Sequence, residues 1–453
     1  MIPRPLSEIA AAVDGRLVGR DVTVSSVTTD SRRAEPGSLF VALPGEHIDG
    51  HEFVTDAMAR GAAAALVHRP EPRGPAIEVH DTGRALLELG ADERRRMPDA
   101  TVVGITGANG KTSTKDLAAS VLRTRFRTHA SPASFNNEIG LPLTLLGTAP
   151  GSEVLVAELG ARREGDVALL CEVARPDLVV VTNVGVAHME IFGSWDAIVR
   201  AGAEPVGWLD SQGTAILNAD DAVVRGYASR ARSRVLTFGS DGDADVRAED
   251  VVLGDDGRAR FALVVGEERE PLDLTMPGEH MVANALAAAA CGTALGLSAA
   301  ECAAALKGAR VSGWRMETFT TPEGILVVND AYNANPESMA AALKTARWMA
   351  RGGRLAAVLG HMAELGPISF DEHERLGELV VRVGVDRLIT VGAPATAIAR
   401  AAIREGQLPE DVATCDNPAE AEAEVRAWAR RGDVVLFKGS RVVGLERLAE
   451  AFG

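Results

Sequence analysis

Residues 101–122 read TVVGITGANGKTSTKDLAASVL, and the order of residue types within them decides the architecture. The run Ala100 to Thr106 is short, apolar and β-branched, the composition of a parallel strand buried on both faces. A Gly-rich turn follows, and then Lys111 and Thr112 open the helical stretch KDLAASVLRTRF. Gly107 and Gly110 permit a tight turn whose backbone N–H groups face a triphosphate. In such a turn Lys111 neutralises β/γ oxygens and Thr112 places a hydroxyl on Mg²⁺. The expected nucleotide-contacting set is Gly107, Asn109, Gly110, Lys111, Thr112 and Ser113. The spacing departs from G-x-x-x-x-G-K-[ST], because Ile105 stands where the first Gly belongs. An ordinary Gly-rich βα turn is the bland alternative, but GKT in register with a strand and a helix favours nucleotide binding. The loop alone does not separate a kinase, a GTPase and a ligase.

Outward from this loop the same rhythm recurs. Apolar runs at Glu153 to Gly160, Leu178 to Gly185 and Thr214 to Asp220 read as further parallel strands, and so do Gly324 to Asp330, Arg354 to Gly360, Arg387 to Gly392 and Asp433 to Gly439. Pro336 to Met349 and Pro418 to Arg430 read as intervening helices, the second capped by Asn417. The charged stretch ADERRRMPDA predicts a helix end and a linker, and the SGW at Ser312 to Trp314 follows an Ala-rich helical region, Asn284 to Gly308. The chain of 453 residues thus divides at 1–98, 99–313 and 314–453.

Composition bounds the function. Lys+Arg 47 against Asp+Glu 63 leaves a net charge of −16, which repels nucleic acid and anionic membranes. No signal peptide or long apolar run is present, so a cytoplasmic protein is expected. Cys171, Cys291, Cys302 and Cys415 lack disulfide or zinc spacing and read as buried thiols. Only five lysines occur, Lys111, Lys115, Lys307, Lys344 and Lys438, so each carries information.

Several further segments, in order, resemble one family, the Mur ligases, ATP-dependent amide-forming enzymes of peptidoglycan precursor synthesis. TGANGKT is similar to their shortened phosphate loop, SFNNEIGLPLTLL to the segment after the first helix, VAELGA to their acidic strand end and TNVGVAHMEIFGS to their histidine loop. SGWRME, VVNDAYNANPESM, VLGHMAELG, FKGSR and the N-terminal DSRRAEPGSLFVALPGEHIDGHEF resemble the branch that adds D-alanyl-D-alanine. The resemblance implies an α/β fold of three domains: an N-terminal uridine-nucleotide domain, a central P-loop ATPase-like domain with a parallel sheet, and a C-terminal Rossmann-like domain. The last has no G-x-G-x-x-G, so no dinucleotide site follows from that word.

The resemblance also implies roles. ATP phosphorylates the terminal carboxylate of UDP-N-acetylmuramoyl-tripeptide, and D-Ala-D-Ala or another amine attacks the acyl phosphate. Lys111, Glu158, His188 and Arg315 would be catalytic, with Thr112, Glu158 and His188 holding Mg²⁺. Asn284 would lie near the adenine, and Arg315 and Asp330 would close over phosphates and ribose. Tyr332, Asn333, Asn335, Asn137 and Lys438 would face the substrates, and Ser31 and Arg32 the uridine nucleotide. Each has a plain structural alternative: a strand-end carboxylate for Glu158, a helix-start cap for Asn284, a conformational turn for DAYNANP. The enzyme is expected to be a monomer that closes on its substrates.

The match departs from the family at three places. The family has a lysine after the histidine loop, modified to a carbamate that helps bind a second Mg²⁺; Gly202 stands there. Arg200 cannot form a carbamate, so Glu204 or Asp196 would have to supply a carboxylate, and Pro205 is expected to interrupt the helix. His361 replaces a usual acidic residue, and Val442, Val443 and Gly444 follow KGSR. Two other functions therefore stand beside the first: a paralogue joining a different carboxylate and amine in specialised metabolism, or a nucleotide-binding homologue that has lost catalysis.

Overall fold

The strand Thr101–Thr106 forms where the sequence places it, between Leu178–Val181 and Val154–Glu158, both parallel to it. The computed structural model describes residues 1–45, 48–69, 74–240 and 242–452. Beyond Leu178–Val181 the sheet continues through Thr214–Asn218, Arg234–Gly239, Val246–Leu253, Arg258–Val265 and Glu268–Pro277; beyond Val154–Glu158 it ends on Thr128–Ala130. The last two pairings on the long side are antiparallel. These strands were not predicted. Their buried residues, such as Ala259, Phe261 and Leu263, alternate with exposed charged ones, such as Arg258 and Arg260, because one face meets water.

The apolar runs of the last third form a six-stranded sheet in the order Glu317–Thr320, Leu326–Asn329, Val434–Lys438, Leu355–Gly360, Arg387–Val391, Val412–Cys415, antiparallel only at the first edge. The N-terminal sheet runs Arg16–Val18, Ala76–Glu78, Ala64–Val67, Ser38–Val41, Ser26–Thr28. Family and fold agree on a mixed α/β protein with large parallel sheets.

The helix Lys111–Leu122 packs against a second helix, His280–Ala294, in the core of the central sheet. Alanines fill that contact: Ala287, Ala288, Ala289 and Ala290 are fully buried, and their short side chains let the two helices approach closely. The Ala-rich region is two helices, because Gly296 takes a left-handed φ of 82° and Ser298 with Glu301 forms a capping box that starts Ala299–Lys307. The helix Trp195–Trp208 runs through Pro205 without interruption. The charged stretch before Ala100 is no solvated linker: Glu93 and Arg94 are buried, and the Arg94 guanidinium donates to the carbonyls of Ala174 (2.9 Å) and Met97 (2.5 Å). All four cysteines are free and buried, and burial pushes the Cys171, Cys291 and Cys302 thiols up to about 12. Among the described residues no helix is long and apolar enough to cross a membrane.

His373 locks the turn after Leu355–Gly360. Its Nε2 accepts the Met362 N–H (3.0 Å) while Nδ1 donates to the Ser369 carbonyl (2.6 Å), an arrangement only the neutral ring can make. Burial holds its pKa below the ordinary histidine range, opposed by the Ser369 carbonyl and Glu372. Its contribution is therefore complete above the unfolded value of about 6.5 and is lost as pH falls below that through the folded value. We expect the urea midpoint to fall between pH 8 and pH 5.5. His373→Leu should be less stable at pH 8 by about 1–3 kcal/mol yet show a shallower decline; an equal decline in both proteins would remove His373 as a cause.

Candidate active site

The phosphate loop is stitched down before any ligand enters. Ala108 N–H donates to the Asn183 carbonyl (3.0 Å), Asn109 N–H to Asn183 Oδ1 (2.8 Å), and Thr182 Oγ1 and Asn183 Nδ2 donate to the Asn109 carbonyl (2.7 and 3.0 Å). Gly107 has φ 130°, and a Cβ there would stand 2.1 Å from Thr182 Oγ1. Gly110, at φ 81°, would press a Cβ to 2.3 Å from Asn284 Oδ1. Both glycines are thus required by the fold of the loop. Asn284 lies inside the helix His280–Ala294 and does not cap it; it accepts from Thr114 Oγ1 (3.3 Å) directly beneath the loop. Ser113 is buried on the first turn of the loop helix.

Lys111 folds back so that its ammonium donates to the carbonyls of Gly107 (2.6 Å) and Ala108 (3.2 Å). Desolvation lowers its pKa, Glu158 opposes this, and Arg315 adds to it. Glu158 ends its strand almost completely buried, with Oε2 accepting from Thr112 Oγ1 (2.8 Å) and Oε1 from Asn136 Nδ2 (2.8 Å). A hydroxyl and a buried carboxylate in contact form a hard-oxygen donor set suited to Mg²⁺. Arg315 reaches this point from the C-terminal sheet's side: its Nη2 lies 3.0 Å from Thr112 Oγ1 and 2.8 Å from Ser134 Oγ. Its guanidinium also stacks on Tyr332, 3.8 Å from the ring centroid.

Other residues expected to face substrate serve as supports. The Lys438 ammonium is buried on Asp330 Oδ2 (2.6 Å) and the Asn333 carbonyl (3.0 Å), and Asp330 Oδ1 takes the Met316 N–H (3.0 Å). Asn335 caps the helix Pro336–Met349 and donates Nδ2 to Asn109 Oδ1 across the domains (2.7 Å). Asn137 Oδ1 caps Gly140–Leu146 through Gly140 N–H (2.9 Å).

His188, at a left-handed φ of 59°, contacts Glu364, also left-handed at 61°, through Nδ1. Burial lowers the His188 pKa; Glu364 opposes, Lys111 reinforces. Glu364 pairs with Arg162 as well (3.3 Å). Glu364, Ser134 and Asn136 were not singled out from the sequence, since their roles arise only where distant segments meet. At Gly202 the place of a side chain is taken: a Cβ would lie 2.7 Å from the Tyr227 hydroxyl, which donates to the Val199 carbonyl (2.7 Å). Glu204 is no substitute, because its carboxylate accepts the N–H groups of Gly165 (2.6 Å) and Ala168 (2.9 Å) at a helix start. Asp196 is exposed, and Arg200 pairs with Glu164 (2.9 Å). The residues present thus fit one cation at Thr112 and Glu158, and the helix at 202 adds no ligand to a second.

In the N-terminal sheet Ser31 is buried, and the exposed Arg32 pairs with Asp30 (2.8 Å). Nearby Asp49, His51 and His68 each place a ligand atom within 4.8 Å of the others. His51 has none to spare, however: Nε2 accepts the His68 N–H (3.0 Å) and Nδ1 contacts Asp49 (2.8 Å). This cluster is a clasp between loops.

Family models match the chain as Mur ligase family, catalytic domain (residues 23–94), Mur ligase middle domain (105–292) and Mur ligase, glutamate ligase domain (314–441). The UDP-N-acetylmuramoyl-tripeptide–D-alanyl-D-alanine ligase of Mycobacterium leprae is 39% identical, covering 99% of this chain and 98% of its own. The crystal structure of MurF from Acinetobacter baumannii superposes with a TM-score of 0.88 at 31% identity, over 100% and 99% of the two chains. MurF ligase from Thermotoga maritima in complex with ADP gives 0.81 at 28% identity, over 95% and 97%.

The filled position at 202 yields a stability test. An alanine in a helix interior normally gains about 0.5–1 kcal/mol over glycine. Here the Tyr227 hydroxyl must move, so Gly202→Ala should lower the denaturant midpoint. In a Tyr227→Phe background the same substitution should be neutral or stabilising. Stabilisation in both backgrounds would refute the packing conflict.

Proposed function

The chain belongs to the Mur ligase family, and from that premise we propose that it joins D-alanyl-D-alanine to UDP-N-acetylmuramoyl-tripeptide, with ATP cleaved to ADP and phosphate. It is an ATP-dependent ligase of peptidoglycan precursor synthesis, acting on small molecules as a cytoplasmic monomer. The observation that carries this reading is the meeting of Arg315 with Thr112 and Ser134, 2.8–3.0 Å apart, at the end of the phosphate loop. Two domains contribute to one phosphate site, as a reaction with two substrates and a labile intermediate needs.

The chemistry follows from charge. A carboxylate oxygen of the tripeptide must attack the γ-phosphorus as the bond to ADP breaks, although both reactants are anionic. Lys111, the loop-helix N–H groups and the planar fork of Arg315 concentrate positive charge there. Thr112 and Glu158 would hold Mg²⁺, which when bound supplies further compensating charge at the phosphates. His188, held by Glu364, borders the same cleft. The amine nitrogen then attacks the acyl carbon, inorganic phosphate leaves, and the nitrogen loses a proton. Asn335 on Asn109 keeps the domains together, which shields the acyl phosphate from water. Ser31 and Arg32 would bind the uridine nucleotide. His361, with a buried ring Nδ1 lacking a protein partner, favours a second reading in which the amine differs from D-Ala-D-Ala.

Phosphate release from ATP should require the UDP-linked tripeptide and an amine together. Release with D-Ala-D-Ala supports the first reading; release only with another amine supports the second; none with any pair, despite ATP binding, would sink both. Arg315→Ala should lower kcat about 10²–10³-fold, the usual loss for one charge-stabilising donor, with a smaller change in the KM for ATP.

A further inference from the structure

The helix of the phosphate loop carries two side chains outside the expected site, Lys115 and Asp116, which point away from the loop and toward the parts that close over it. Lys115 is only 2% exposed. Its ammonium donates to the carbonyls of Ser131 and Ala133 at 2.8 Å each and pairs with Asp116 Oδ1 at 2.8 Å. Ala133 has a left-handed φ of 45°, a conformation that costs a non-glycine residue energy and must be imposed from outside. The residue after it is Ser134, whose hydroxyl lies between Thr112 and Arg315. The other oxygen of Asp116, Oδ2, accepts both the N–H and the Oγ–H of Ser312, each at 2.7 Å. Ser312 lies in the connection between the helix Ala299–Lys307 and the strand Glu317–Thr320, three residues before Arg315. In that connection Trp314 and Met316 are left-handed too, at φ 60° and 50°.

Two adjacent side chains therefore reach Thr112 by two routes. Lys115 sets the segment that presents Ser134, and Asp116 sets the segment that presents Arg315. We propose that Asp116 is a positioning residue of the ligase reaction: by gripping Ser312 it fixes the strained connection between the central and C-terminal domains so that Arg315 lands on the transferring phosphate, while Lys115 fixes the opposing Ser134. Asp116 touches no substrate; its effect passes through Arg315. The inference rests on the ligase reading for the reaction, but its core, the placement of Arg315 against a nucleotide, is readable without any amine.

The test is a double-mutant cycle on affinity for a non-hydrolysable ATP analogue with Mg²⁺, measured on the full chain by calorimetry. Arg315→Ala should weaken binding about tenfold in the wild-type background. Asp116→Ala should weaken it by a similar factor, and Arg315→Ala added to Asp116→Ala should weaken it by less than a further twofold. Ser312→Thr keeps both donors and should bind as wild type, whereas Ser312→Ala keeps only the N–H and should fall between. A merely structural role for Asp116 would give additive losses, and independent tenfold steps in the cycle overturn the proposal. Lys115→Met guards against misfolding as an explanation: its thermal midpoint and that of Asp116→Ala are read beside the affinities, and an Asp116→Ala loss that Ser312→Ala does not share at all would also overturn it. If the wild type binds the analogue but forms no amide with any pair, the ligase reading fails while the cycle still decides the role of Asp116.

Discussion

The rest of the site depends on one buried contact, the Thr112 hydroxyl against the Glu158 carboxylate. Glu158 is 1% exposed and ends a strand of the central sheet. An ionised carboxylate at that depth must be compensated by donors or a cation, and its protein donors are Thr112 and Asn136. Strand and loop helix are thereby fixed relative to each other before ATP arrives. The register of the sheet supports this, since Glu158 pairs with Ile105, one residue before the strand Thr101–Thr106 gives way to the loop.

Around this fixed point the chain places residues in costly conformations. His188, Glu364, Trp314, Met316 and Ala133 all have left-handed φ without being glycine, a cost of order 1–3 kcal/mol each. They do not scatter over the surface: His188 faces Glu364, Trp314 and Met316 flank Arg315, and Ala133 precedes Ser134. Each is held by a bond from another segment, the Asp330 carboxylate for the Met316 N–H and the Lys115 ammonium for the Ala133 carbonyl. Strain concentrates where the C-terminal domain meets the central one, which is the surface that must rearrange when substrates enter and products leave.

The central architecture was legible because parallel strands buried on both faces write themselves as short apolar runs, and because Gly107, Gly110 and Lys111 can be read from local chemistry. The antiparallel strands from Val246 to Pro277 were not, since one wetted face interleaves arginines and acids with the apolar residues. At the site, Lys111, Thr112, Glu158 and Arg315 came together as expected from the resemblance. Asn284 was placed near the loop correctly but as a cap wrongly: the helix begins at His280, and the N-cap is Glu279. The partners Ser134, Asn136 and Glu364 were invisible because no local pattern marks them; they acquire meaning only through contacts 22 to 176 residues away in sequence. Glu204 shows the converse. A carboxylate two residues from Gly202 looked available, yet two backbone N–H groups had already claimed it.

The scarcity of lysine in an arginine-rich chain has a structural reason at three of its five sites. Lys111 gathers the carbonyls of Gly107 and Ala108, Lys115 those of Ser131 and Ala133, and Lys438 those of Asp330 and Asn333. In each case one ammonium draws together two carbonyls one to three residues apart, within a loop that turns sharply. A compact ammonium with three donors in a tetrahedral fan can do this, whereas the planar guanidinium spreads its donors along edges matched to carboxylates and phosphates. Lys307 and Lys344 are exposed and have no such duty. The three buried or half-buried lysines therefore gather the loops that carry the phosphate-binding turn, Ser134 and Tyr332, and the guanidinium of Arg315 is left for the point where those loops converge. Replacing any of the three by arginine would keep the charge but not the loop, so the residue type here is fixed by backbone geometry before it is fixed by electrostatics.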